Sequence, residues 1–69
     1  MTWTLDASGR TYRCTLGSGQ ALIWRSFTAA WIALICEGQV AMEHRAYPTL
    51  PEAQAWCEAR LEERQKPQA

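Results

Sequence analysis

The stretch AAWIALIC at residues 29–36 decides the fold of this chain, because every side chain in it is apolar. Eight residues are few for a helix, and the Glu37-Gly38 pair that follows is typical of a hairpin turn, so the stretch is predicted to be a strand. An antiparallel strand with one face in water alternates apolar and polar residues. This strand should therefore be central and covered on both faces. One face would carry Trp31, Ala33 and Ile35, and the other Ile32, Leu34 and Cys36.

Two further strands are predicted before it. Residues 10–16 alternate between apolar and polar side chains, which indicates a half-buried strand, and residues 20–26 form the returning strand after a glycine-rich turn at 17–19. A three-residue loop would place Arg13 and Arg25 together on one face. The opposite face would then carry Tyr12, Cys14, Leu22 and Trp24.

The chain is predicted to end in a helix. Residues 39–47 alternate as a partner strand for the apolar stretch, and Pro48 ends that strand. Thr49 and Glu52 have the spacing of a helix capping box. The apolar stripe of this helix is Leu50, Ala53, Cys57 and Leu61. The sequence thus predicts an α+β fold: an antiparallel meander of three to four strands followed by one C-terminal helix packed on one sheet face.

The length sets the organisation of the chain. With 69 residues and 7.8 kDa, the sequence predicts a single small domain at residues 1–64 and a frayed C-terminal tail at 65–69. No signal peptide is predicted, and the longest apolar run is far shorter than the roughly 20 residues that span a bilayer, so no membrane association is expected. Three widely spaced cysteines then indicate free thiols and a cytoplasmic location.

No cofactor, metal site or catalytic site is predicted. Zinc sites usually pair ligands at short spacing, whereas Cys14, Cys36, Cys57 and His44 are far apart in the sequence. Catalysis by a cysteine and a histidine needs a thiol beside the imidazole and a third group that orients the imidazole, and the sequence supplies no such third group for His44. The sequence therefore favours a non-enzymatic protein, in which the cysteines are small apolar core residues.

One helix cannot cover both faces of the predicted sheet. The uncovered face is a candidate interaction surface, through which the chain would form a homodimer or bind another protein. The residues predicted for this interface are Ile23, Ile32, Leu34 and Cys36. An alternative stays open, in which the N-terminal segment with Trp3 and Leu5 folds over the same face.

A nucleic-acid-binding sheet is the alternative function. Arginine beside aromatic residues on a sheet can bind phosphates and stack bases. The residues that would do so are Arg10, Arg13, Arg25 and Trp24. Seven basic residues balance seven acidic ones, and this zero net charge disfavours phosphate binding.

Residues 31–61 also resemble a known domain. The pattern is a Trp-x-Ala-x-aliphatic strand, a glycine turn, a second strand and a helix start with Thr-x-x-Glu-Ala-x-x-Trp. The matching residues are Trp31, Ala33, Ile35, Gly38, Tyr47, Thr49, Glu52, Ala53 and Trp56. This resembles the arm-type DNA-binding domains of phage integrases, with Pro48 inserted before Thr49. The resemblance implies a sheet-plus-helix fold, a phage-related origin and a sheet face that reads DNA. In that family this face is rich in Lys and Arg, whereas the chain has Glu37, Ala41 and Glu43 there and one lysine in all.

Overall fold

Five strands in one antiparallel sheet and one helix make up the computed structural model, which describes residues 2–65. The elements are β1 (Thr4–Leu5), β2 (Thr11–Leu16), β3 (Gly19–Arg25), β4 (Trp31–Glu37), β5 (Val40–Tyr47) and α1 (Leu50–Gln65). The strands lie side by side in chain order. The predicted α+β fold is confirmed, with five strands instead of three to four. The added strand, β1, has two residues and pairs with β2.

Residues 31–36 of the apolar stretch form β4, as predicted, together with Glu37, and the strand lies between β3 and β5. Ala29 and Ala30 instead lie in the turn before β4, where Ala29 has a φ of 69°. A register shift, with Ile35 opposite Glu43 and Cys36 opposite Ala41, leaves Met42 as an extra residue in β5. Such a bulge bends the strand that carries it. The remaining β4–β5 pairs are regular from Ile35 to Trp31.

The β2–β3 hairpin turns on two residues and not on the predicted three. Leu16 pairs with Gly19, so the loop is Gly17-Ser18, and Gly17 adopts a φ of 61°. A positive φ at the first loop position is typical of the type II′ turn. The shorter loop shifts the register by one residue, which moves every β3 side chain to the other face relative to β2. The predicted placement of Arg13 and Arg25 on one face is therefore wrong.

The helix begins where the capping residues predicted it. The backbone N–H of Glu52 donates to Thr49 Oγ1 at 3.4 Å, and the N–H of Ala53 donates to the Thr49 carbonyl at 3.3 Å. Through its apolar stripe the helix packs on the sheet face that carries Ala33 and Ile35. The buried core is Cys14, Ala21, Ile23, Ala33, Ile35, Ala53, Cys57 and Leu61.

The core position of Ile23 corrects one predicted interface residue. Ile23 is 0% exposed and lies beneath α1, so it does not belong to the uncovered face. Its pairing with Tyr12 follows from the two-residue loop, and on β4 it pairs with the buried Ala33.

The predicted C-terminal tail is only partly within the described residues. Gln65, the first residue of that tail, is the last residue of α1. Residues 66–69 lie outside the described part of the chain. Within residues 2–65, no helix is long and apolar enough to cross a membrane.

Candidate interaction surface

The sheet face that points away from α1 is the candidate site, and we call it the open face. Residues that pair across antiparallel strands share a face, so the register defines its members. Its three cross-strand rows are Thr11–Trp24–Ile32–Ala46, Thr4–Arg13–Leu22–Leu34–His44 and Thr15–Gln20–Cys36–Ala41.

The middle of the open face is apolar. We call its five residues on β3 and β4 the apolar centre: Leu22, Trp24, Ile32, Leu34 and Cys36. All five are half-buried, whereas Ala33 and Ile35, their neighbours on the helix side of β4, are 0% exposed. The difference arises because α1 covers one face of β4 and nothing in residues 2–65 covers the other.

Polar side chains border the apolar centre on both outer strands. Thr11, Arg13 and Thr15 lie on the β2 side, and the exposed His44 lies on the β5 side. An apolar middle with a polar rim is the usual anatomy of a protein–protein interface.

The N-terminal segment does not cover the open face. The indole Nε1 of Trp3 donates a hydrogen bond to Glu58 Oε2 at 2.8 Å, and Glu58 belongs to α1. Trp3 also packs against the buried core, while Leu5 is 51% exposed. The alternative in which Trp3 and Leu5 fold over the uncovered face is therefore wrong for the described residues.

The helix side of the sheet, by contrast, is closed by ion pairs. Arg60 donates from Nε at 3.0 Å and from Nη2 at 2.8 Å to the carboxylate of Glu43, and Arg64 Nη2 donates to Glu37 Oε2 at 2.9 Å. The hydrogen bonds to Glu43 raise the pKa of Arg60. The hydrogen bond from Arg64, followed by one from Ser18, lowers the pKa of Glu37. These contacts hold the second half of α1 on the β4–β5 hairpin.

The residues predicted to bind nucleic acid are not brought together. Arg13 and Trp24 lie on the open face, but Arg25 lies on the helix side, with its guanidinium 5.8 Å from the centre of the Trp31 ring. Arg10 is exposed just before β2. The structure therefore divides this set between the two faces and a turn.

Sequence reasoning missed Leu22 and Trp24 as members of the apolar centre beside Ile32, Leu34 and Cys36. The signal was present in the alternation of β3, but its phase relative to β2 depended on the length of the loop. A Gly-x pair as a two-residue loop is a recognised hairpin signal and would have given the correct phase.

The cysteines and the histidine do not form a chemical site in the structure. Cys14 and Cys57 are buried between sheet and helix, whereas Cys36 and His44 lie on the open face. Burial, with smaller contributions from Cys14 and Glu58, raises the pKa of Cys57 to about 12. Among residues 2–65, no group of three or more His, Cys, Asp or Glu side chains is arranged to hold a metal ion.

Comparisons of the chain with protein-family models, with curated proteins and with solved structures find no match. The resemblance of residues 31–61 to the arm-type domains of phage integrases stays a prediction. The function proposed below is therefore based on the geometry of the open face.

Proposed function

We propose that this chain is a non-enzymatic interaction module that forms a homodimer, with the open face of one copy packed on the open face of the other. The observation that carries the proposal is the apolar centre, a group of five half-buried apolar residues that no part of residues 2–65 covers. Contiguous apolar patches on small soluble proteins commonly mark protein–protein contacts.

The size of the open face suits a second copy. The four long strands, β2 to β5, at about 4.8 Å spacing and with six or seven residues at about 3.3 Å give a face of roughly 19 by 20 Å, or about 400 Å² in projection. A standard interface buries roughly 800 Å² per partner, so a contact through this face would be a small one. An identical face has matching dimensions, and two sheets can pack face to face at about 10 Å.

Charge also permits self-association. The formal net charge of the chain is zero, so two copies do not repel each other over long distances. Arg13, the one arginine in the rows of the open face, is exposed at the rim, where it can keep its water when two copies meet. The apolar centre itself contains no charged side chain.

The small core gives a physical reason for a dimer. Only eight apolar residues are fully buried in the described chain, and its three cysteines are free thiols. Domains of this size usually gain stability from a disulfide, a metal or association. Packing the apolar centre against its copy would remove the apolar surface of these five half-buried residues from water.

The experiment replaces Leu34, in the middle row of the apolar centre, with arginine. The wild-type protein should sediment at twice the chain mass of 7.8 kDa or more, and Leu34→Arg should lower that mass while the circular dichroism spectrum stays that of a folded domain. Ile32→Arg, on the same face, should act in the same way. Phe27→Arg is the matched control, because Phe27 is fully exposed in the β3–β4 turn.

Three outcomes would contradict the proposal. A wild-type monomer across the accessible concentration range would reject self-association, and a Leu34→Arg protein with the wild-type mass would reject the open face as the interface. A titration with single- and double-stranded oligonucleotides at low salt tests the alternative function. Chemical-shift changes at Arg13 and Trp24 would favour nucleic acid as the partner of the open face, and we expect none there.

A further inference from the structure

Strand β5 forms one edge of the sheet, and it is a long edge. It has eight residues, whereas β1, at the other edge, has two. One side of the β5 backbone pairs with β4, and no other strand of residues 2–65 lies along its outer side. An edge strand of this length offers a row of backbone donors and acceptors to a further strand.

The side chains of β5 leave this edge accessible. Six of its eight residues are exposed, including two large apolar ones, Val40 at 61% and Met42 at 46%. The helix packs mainly over β3 and β4, so it does not shield the outer side of β5. The bulge at Met42 disturbs only the first part of the strand, and the pairs from Glu43 to Tyr47 are regular.

We infer that β5 pairs antiparallel with β5 of a second copy, with His44 of each strand opposite the partner's His44. Glu43 of each copy then lies opposite the partner's Arg45, so the two-fold symmetry gives two such pairs. This contact uses the sheet edge and not the open face, so it goes beyond the homodimer proposed above and does not depend on it.

The charge pattern selects this register. In an antiparallel pair, opposite residues share a sheet face, so with both helices on the same side Glu43 can meet either Glu43 or Arg45 of the partner. A pair centred on Glu43 sets two carboxylates against each other, and one centred on Arg45 sets two guanidinium groups against each other. Centring on His44 creates two opposite-charge pairs, which stabilise a sheet, whereas like charges directly opposite destabilise it.

The same register uses the part of β5 that lies beyond the bulge. Glu43, His44 and Arg45 of one copy pair with Arg45, His44 and Glu43 of the other, and Ala46 lies next to the bulge at Met42 of the second copy. The Glu43 carboxylate already accepts hydrogen bonds from Arg60, and its two oxygens retain lone pairs for the partner's Arg45. Charged residues on an edge strand usually prevent its pairing with other strands. Here the charges of Glu43 and Arg45 are complementary when β5 pairs with β5 of a second copy.

Cysteine cross-linking tests the register directly. In a Cys36→Ala background, His44→Cys would place two thiols at the symmetry axis, where opposite Cα atoms lie about 4.5–5.5 Å apart and a disulfide can form. Ala46→Cys is the matched control on the same edge. Its two copies would be offset by four residues, or about 13 Å, which is too far for a disulfide. Mild oxidation should therefore cross-link the first variant at least tenfold faster than the second.

Charge reversal provides a test that needs no cysteine. Arg45→Glu converts both opposite-charge pairs into like-charge pairs and should weaken the edge contact about tenfold, measured by sedimentation. Arg25→Glu is the matched control. Arg45 lies over a tryptophan ring, 6.0 Å from the centre of Trp56, and Arg25 does so too, 5.8 Å from the centre of Trp31, but Arg25 is on an inner strand. The control substitution removes a similar arginine–tryptophan contact away from the edge. It should leave the association unchanged.

The outcomes separate this contact from the open-face dimer. If the edge contact is real, the His44→Cys cross-link persists in a Leu34→Arg background, where the open face no longer associates. Equal cross-linking at positions 44 and 46, or none at 44 in a folded protein, would overturn the proposed register. An unchanged association of Arg45→Glu would overturn the edge contact, whatever Leu34→Arg does to the dimer.

Discussion

Trp3 donates its indole hydrogen to Glu58 across the helix side of the domain, at 2.8 Å, although 55 residues separate the two in the sequence. The contact ties the N-terminal segment to α1 and so directs it away from the open face. One side of the sheet thus receives both the helix and the N-terminal tryptophan, while the other receives neither. This asymmetry is the observation on which our proposal of self-association rests.

The Trp3–Glu58 hydrogen bond should contribute to stability and not to association. Trp3→Phe keeps an aromatic ring against the core but removes the donor, and it should lower the free energy of unfolding by about 1 kcal/mol. For a domain of this size that corresponds to a fall in melting temperature of about 4–8 °C. Thermal denaturation at a fixed protein concentration would measure it, since association shifts the midpoint.

Sedimentation provides the second readout for this variant. The mass of Trp3→Phe should equal that of the wild type, because Trp3 lies on the opposite side of the sheet from the apolar centre. A lower mass would instead indicate that the N-terminal segment takes part in the interface. Gln39→Ala, at an exposed residue of the β4–β5 turn, should change neither quantity.

The strands and the helix could be predicted from local patterns. Which face of the sheet each strand residue lies on could not always be predicted. Thr49 with Glu52 marked the helix start, and the apolar stretch marked β4, because capping and hydrophobic periodicity act over a few residues. Which β3 residues lie beside Arg13 depends on one residue of loop length. That single error moved Ile23 to the predicted interface and Trp24 away from it.

Contacts between distant segments carried no sequence signal. Nothing in the spacing of Trp3 and Glu58, or of Glu43 and Arg60, indicates that they meet. These pairs form only once α1 lies across the sheet, and its direction is set by packing of the whole apolar stripe. For the same reason the sequence could not say which face α1 covers, and so which half of β4 stays open.

Acid should destabilise the fold partly through Glu37. The hydrogen bonds from Arg64 and Ser18 hold the pKa of Glu37 below its ordinary value of 4.5 in the folded protein. A carboxyl whose pKa is lowered by folding stabilises the native state above its unfolded pKa, and this contribution is lost as the pH falls through the folded value. We expect the free energy of unfolding to decline below about pH 4.5, as measured by urea denaturation at a series of pH values.

Two substitutions separate Glu37 from the general effect of acid. Glu37→Gln should lower stability at pH 7 and show a weaker decline below pH 4.5, since its side chain no longer titrates. Some decline should remain, because hydrogen bonds from Ser8 also lower the pKa of Asp6. Glu62→Gln, on the exposed side of α1, should keep the wild-type profile. A Glu37→Gln profile parallel to the wild type would contradict the role of the Arg64 contact.

The three thiols should differ sharply in reactivity. Cys14 and Cys57 are buried, and burial raises the pKa of both, that of Cys57 to about 12, so the reactive thiolate is scarce at neutral pH. Cys36 is half-buried on the open face. Brief treatment of the folded protein with iodoacetamide should therefore modify Cys36 first, as located by mass spectrometry. If the proposed homodimer forms, the modification of Cys36 should slow as the protein concentration rises, whereas a rate independent of concentration would argue against the open-face interface.

The close approach of Gly19 to Leu61 should appear as an energetic coupling between sheet and helix. A Cβ added at Gly19 would lie 3.0 Å from Leu61 Cδ2 in the buried core, so Gly19→Ala should cost about 1–3 kcal/mol through overpacking. Leu61→Val removes the atom that it meets, so the double variant should be more stable than the sum of the two single effects predicts. Gly38→Ala is the control: its φ of 62° strains any side chain, but its Cβ would meet no atom within 4 Å. Urea denaturation should therefore show coupling of Leu61→Val with Gly19→Ala and additivity with Gly38→Ala; additivity in both pairs would rule out the predicted contact.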